Sequence, residues 1–223
     1  ALSLRGALPI LTSGGSGVSG ATVTVDGTGL SGTTDTNGQV TIHSIPVGSY
    51  TFTATKAGYT GASSTSTAIS DGATATVGIA ITRQYGSATI TVTSGGSGVN
   101  GATVTVDGTG LSGTTDTNGQ VTISNIPVGS YTFTAGKTGY DSATSANTAI
   151  SNGGTATVGI AITRQYGSAT ITVTSGGSGV SGATVTVDGT GLSGTTDTNG
   201  QVTIHSIPVG NYTFTASKSG YTG

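Results

Sequence analysis

The stretch Ala88-Thr89-Ile90-Thr91-Val92-Thr93 alternates apolar and hydroxyl side chains without a break, and Ala102-Thr103-Val104-Thr105-Val106 soon does the same. A period of two puts Ala, Ile and Val on one face of an extended chain and Thr on the other, the pattern of a half-buried strand. Thr suits the outer face because its branched Cβ favours the strand and its hydroxyl tolerates water. Working outward, Tyr131-Thr132-Phe133-Thr134-Ala135 and Ala156-Thr157-Val158-Gly159-Ile160-Ala161-Ile162-Thr163 carry the same alternation. Turn chemistry separates the runs at Asp107-Gly108, Asp116-Thr117-Asn118-Gly119 and Ser151-Asn152-Gly153-Gly154. No segment has a helical period. The expectation is an all-β chain with about six or seven strands per unit, the count of a two-sheet sandwich.

The unit is set by a repeat. Thr-Ser-Gly-Gly-Ser-Gly-Val begins at Thr12, Thr93 and Thr174, and Asp26, Asp107 and Asp188 keep the same spacing of 81 residues, as do Pro46, Pro127 and Pro208. Copies one and two differ at 12 of 81 positions, and copy three differs from copy one at 3 of 50. A unit of this length can enclose its own core, so tandem domains are expected over 1–85, 86–166 and 167–223. Residues 86–166 read as complete; the third copy stops at the counterpart of Ser142 and lacks counterparts of Thr144 to Ile162.

The run from Gly98 to Val106, then Thr114 to Gly119, then Ile126 to Tyr140 resembles the carboxypeptidase regulatory-like domain, nearly end to end in each unit. The resemblance implies a transthyretin-like or Ig-like β-sandwich of the kind found in tandem surface repeats. It implies a non-catalytic accessory or stalk role. Within that pattern Asp116-Thr117-Asn118-Gly119 is expected to close a tight hairpin, with Gly in the left-handed region.

Composition excludes several functions. Among 223 residues there are 41 Gly, 48 Thr and 28 Ser, only 6% charged residues, and no Cys, Met or Trp. Without Cys there is no disulfide framework, thiolate nucleophile or Cys zinc site. A net charge of −2 offers no footprint for nucleic acid or an anionic membrane. No apolar run approaches the roughly 20 residues of a membrane-spanning helix. A mean hydropathy of +0.12 argues against disorder.

Candidate chemistry is thin, and the reading is not an enzyme. His43 and His205 have Ser124 at the corresponding place in the middle copy, so they read as solvent-facing strand residues and not as general bases. Asp26 and Asp35 lie in loops that suit a calcium ligand, yet Asp35-Thr36-Asn37-Gly38 lacks the later Glu of a calcium loop and is ordinary turn chemistry. No cofactor is expected. Lys56, Lys137 and Lys218 each sit in Ala-x-Lys-x-Gly-Tyr at a strand end, where exposure is expected and an isopeptide cross-link is not. Asn211 heads the sequon Asn211-Tyr212-Thr213, a possible glycosylation site.

The two ends are the informative oddity. Ala1-Leu2-Ser3-Leu4 precedes the first opening strand, and its alternation resembles Gly78-Ile79-Ala80-Ile81. The third copy lacks such a closing strand. Ala1, Leu2, Ser3 and Leu4 are therefore a candidate donor strand that completes the third sandwich of the next copy, a head-to-tail homopolymer. The expected role is an extracellular structural protein of the cell surface, a filament or pilus-like fibre subunit, with glycans as possible partners. The alternatives are a stalk fragment of a longer tandem-repeat adhesin, or a carbohydrate-binding surface protein using Tyr59, Tyr85 and Tyr140.

Overall fold

The computed structural model describes residues 8–222, with side chains from Ile10 onward. Every regular element among them is a strand. The chain divides into two compact units. One combines residues 8–88 with 123–131 and 148–156; the other combines 89–122, 132–147 and 157–222.

In the first unit, the strand Thr22–Val25 pairs antiparallel with Ser31–Thr33 on one side and Phe52–Thr55 on the other, and Ala62–Ser63 extends the sheet. The facing sheet joins Leu8–Ser13 to Ser16–Gly17 and, in parallel, to Thr76–Ala80, with Leu8 opposite Thr76 and Thr12 opposite Ala80. The last strand of the first repeat thus lies beside its own first strand. Alternation decides the burial: Val23, Val25, Phe52, Ala54, Val77, Ile79 and Ile81 point inward with Leu11 and are buried, while the intervening Thr residues face outward.

In the second unit the same sheet recurs as Ser112–Thr114, Thr103–Val106, Phe133–Gly136 and Ala143–Thr144, and again as Leu192–Thr195, Thr184–Val187 and Phe214–Ser217. All-β sandwich architecture is therefore observed as the alternation predicted.

Three details depart from the sequence reading. The turn at Asp116–Gly119 is tight: Asp116 Oδ1 accepts the N–H of Asn118 and of Gln120, each at 2.8 Å. Gly119 has φ +77°, and a Cβ there would stand 2.4 Å from Val92 O. Yet it closes no hairpin, because Ser112–Thr114 pairs with Thr103–Val106 and Gln120–Pro127 belongs to the sheet of Tyr85–Ser94. The turn carries the chain from one sheet to the other.

Tyr131 to Ala135, expected as one strand, is divided at Thr132: Gly129–Tyr131 pairs with Thr148–Ile150, and Phe133–Gly136 pairs with Thr103–Val106. Asp107 fixes the division, donating its N–H to Thr132 O and accepting from Thr132 Oγ1 at 2.6 Å. Finally, Ser44, Asn125 and Ser206 hold left-handed φ near 57° at the same place in each copy. In the third repeat the register slips there, with Gly167 opposite Ile207 but Ala169 opposite Ile204, so Ser206 is part of a β-bulge.

Candidate assembly site

The site is found by comparing identical residues in repeats two and three. In the second repeat Ala88, Ile90 and Val92 are wholly buried, as are Phe133 and Ala135. Their counterparts in the third repeat are not. Ala169, Ile171 and Val173 are half-buried, Ala216 is exposed, and Phe214 is 39% exposed against 0% for Phe133. The side chains are the same, so the difference lies in what covers them. In the second repeat the strand Thr155–Ala161 lies beside Tyr85–Ser94, and Val158, Ile160 and Ile162 are buried. In the first, Val77, Ile79 and Ile81 are buried likewise.

Two cavities mark the open face of the third repeat. The larger, about 730 Å³, is lined by Val173, Val180, Ala183, Ala216 and Tyr221 among others. The smaller, about 450 Å³, lies against Ala169, Ile207, Tyr212 and Phe214. Their rim is strand: Tyr166–Thr172 pairs with Gln201–Pro208 and with no other strand among the described residues. An apolar floor beside an unpaired strand is suited to receive another strand. The candidate donor, Ala1 to Leu4, lies outside the described residues.

The junctions are the second feature. Gln84 donates its N–H to Gly58 O at 2.8 Å, and Gln84 O accepts the N–H of Val128 at 3.0 Å, all within the first compact unit. Gln165 bonds Gly139 and Val209 in the same way at 2.8 and 3.0 Å, all within the second. A linker residue with both backbone groups engaged is pinned, not slack.

The remaining expectations resolve residue by residue. Lys56, Lys137 and Lys218 are half-buried instead of exposed, since each donates from Nζ to a carbonyl, of Ser19, Asn100 and Ser181 respectively. Lys56 also lies 5.7 Å from the centre of the Tyr59 ring, and Arg83 lies 5.9 Å from it; Lys137 and Arg164 hold Tyr140 likewise. These rings are occupied by cations, which leaves little open face for a sugar. Asp26 Oδ2 accepts from Thr51 and Thr53, and Asp35 Oδ1 from the N–H of Asn37 and Gln39. No group of three His, Cys, Asp or Glu gathers among the described residues. His205 is exposed, with Nδ1 2.9 Å from Ser168 Oγ; His43 and Asn211 are exposed too.

Sequence reasoning missed one structural group: Thr34, Thr115 and Thr196 are buried, and each Oγ1 spans the turn before it by donating to Val18 O, Val99 O or Val180 O and accepting from the N–H of Ala21, Ala102 or Ala183. The signal was the doubled Thr of Gly-Thr-Thr-Asp, which breaks the alternation.

The carboxypeptidase regulatory-like domain model matches residues 10–82, 87–163 and 168–223. This chain belongs to that family. No curated protein sequence matches it. Among solved structures it is similar to the Bacillus anthracis TIE protein, with TM-score 0.49 and 21% identity over 98% of this chain and 46% of that one. It is also similar to GBS52, the minor pilin of Streptococcus agalactiae (TM-score 0.36, 16% identity, 78% of this chain and 100% of that one). The shaft pilin SpaA of Lactobacillus rhamnosus GG gives a TM-score of 0.34 at 15% identity, over 73% of this chain and 98% of that one. The chain thus spans less than half of the TIE structure. No helix among the described residues is long and apolar enough to cross a membrane.

Proposed function

We propose that this carboxypeptidase regulatory-like chain is an extracellular structural protein, three sandwiches bounded near 85/86 and 166/167, that builds a surface filament. Copies join head to tail when Ala1 to Leu4 of one enters the open face of the next copy's third repeat. The observation that carries the reading is Phe214 lying 39% exposed where Phe52 and Phe133 are wholly covered. In the first repeat the closing strand runs parallel to the opening strand, from Leu8 opposite Thr76 to Thr12 opposite Ala80. The incoming strand takes the same register beside Thr170 to Thr174. Leu2 and Leu4 stand two residues apart, so both face the floor as Ile160 and Ile162 do.

The pinned junctions support the fibre, because each repeats one geometry and passes load without slack. The sparse charge supports it as well: copies with few ionisable groups pack closely with little self-repulsion. Asn211, exposed beside the smaller cavity, is the N-glycan acceptor of this reading. The test is deletion of residues 1–4 followed by electron microscopy. Loss of long fibres, with restoration by a synthetic strand fused at the N-terminus, is expected; fibres of unchanged length would refute the donor.

A further inference from the structure

The closing strands of the first two repeats have a free side. Among the described residues Thr76–Ala80 stands at the border of its sheet with Leu8–Ser13 as its one partner, and Thr155–Ala161 pairs with Tyr85–Ser94 alone. Ile81 N–H bonds Thr12 O at 2.9 Å and Ile162 N–H bonds Thr93 O at 2.8 Å. In a parallel ladder one residue turns both backbone groups to its partner and the next turns both away. The N–H and C=O of Thr76, Gly78 and Ala80, and of Thr157, Gly159 and Ala161, therefore point outward. All six residues are exposed.

Exposed edges are ordinarily protected by charge, proline or a bulge. These carry neither charge nor Pro: no residue in 72–82 or 142–163 is charged or is Pro. Each edge also has a glycine at its centre. A Cβ on Gly78 or Gly159 would meet nothing within 4 Å, and neither residue has a left-handed φ. The repeat's own fold does not require glycine there, although glycine inside a strand is destabilising relative to Ala. A strand glycine without an internal cause fits close approach by another backbone.

We propose that these edges bind the same edge of a second copy, side by side and antiparallel, about a two-fold axis at Gly78 or Gly159. The sequence is self-complementary in that register. Gly78 faces Gly78, Thr76 faces Ala80, and Val77 faces Ile79, so outward N–H groups meet outward C=O groups and the inner face stays apolar. No like charges are brought together. The sheet continues across the contact, and copies gather laterally into bundles, a contact separate from the head-to-tail joint.

The experiment uses the full chain and the double variant Gly78→Lys, Gly159→Lys, in which both side chains enter open space. Amide exchange at Ala80 and Ala161 is followed by NMR between micromolar and millimolar protein, with sedimentation in parallel. In the wild type these amides gain tenfold or more in protection as concentration rises and larger species appear. The variant stays at its dilute rate with unchanged exchange at Ile81 and Ile162, while Gly78→Ala, Gly159→Ala still associates. Wild-type amides unprotected at millimolar concentration, or lateral association by the Lys variant equal to wild type, would overturn the proposal. Deleting residues 1–4 shortens fibres and leaves the side-by-side contact intact, so the two contacts fail separately.

Discussion

Phe133 and Phe214 are one residue in two settings, and truncating each to Ala measures what the closing strand supplies. An aromatic side chain buries about 150–250 Å² when covered. Taking roughly 200 Å² for Phe, the 39% exposure of Phe214 leaves on the order of 80 Å² in water, where Phe133 leaves none. At about 25 cal/mol per Å² that difference is worth roughly 2 kcal/mol. Phe133→Ala, which also opens a cavity, should cost about 3–5 kcal/mol, and Phe214→Ala about 1–3 kcal/mol. Native-state hydrogen exchange resolves the two sheets separately, through Thr103–Val106 with Phe133–Gly136 and through Thr184–Val187 with Phe214–Ser217. In dispersed chains the loss of protection from Phe133→Ala should exceed that from Phe214→Ala by roughly 30-fold. In fibres the two losses should converge, because a donated strand covers Phe214. Equal losses in dispersed chains would refute the open-face argument. A gap that persists in fibres would refute strand donation.

Two further outcomes follow from named contacts. Thr115→Val keeps the shape but strands the N–H of Ala102 and the carbonyl of Val99 in the core, so denaturant unfolding should show a loss of about 1–3 kcal/mol, most of it recovered by Thr115→Ser. Gln165→Pro removes the N–H that bonds Gly139 O, and spin labels at Ser112 and Ser193, both in the second compact unit, should show a broadened distance distribution while each sheet stays folded.

What the sequence made legible was whatever depends on a side chain's own period. Val104, Val106, Phe133 and Ala135 face inward because they alternate with Thr, and that needs no partner to be known. What stayed hidden depends on which strand lies beside which. Asp116-Thr117-Asn118-Gly119 announces a turn, but the change of sheet is decided by Thr103–Val106 capturing Ser112–Thr114 first. Thr115 looked like one more outward Thr, because its inward turn is set by the carbonyl of Val99 and the N–H of Ala102, distant in sequence. The exposure of Phe214 was legible from the 81-residue offset, since residues 167–223 carry Phe214 without a counterpart of Val158 or Ile160. The lateral edge was not, because a closing strand reads the same whether one side of it or both are paired.

The 12 differences between residues 12–92 and residues 93–173 bear on the site. In the first repeat every one of them falls on an exposed residue, and nine lie between Thr55 and Ala73. None touches the core, and none touches Gln84, Gly58 or Val128 of the first junction, whose counterparts Gln165, Gly139 and Val209 are unchanged. From Thr174 onward the third copy departs from residues 12–61 only at Asn211, Ser217 and Ser219, and all three are exposed. The uncovering of Phe214 and Ala216 therefore has no cause in the side chains of the third repeat. Among the described residues Tyr166–Thr172 has Gln201–Pro208 as its one partner, and any strand with apolar residues at alternate positions that takes the parallel register beside it should restore the burial.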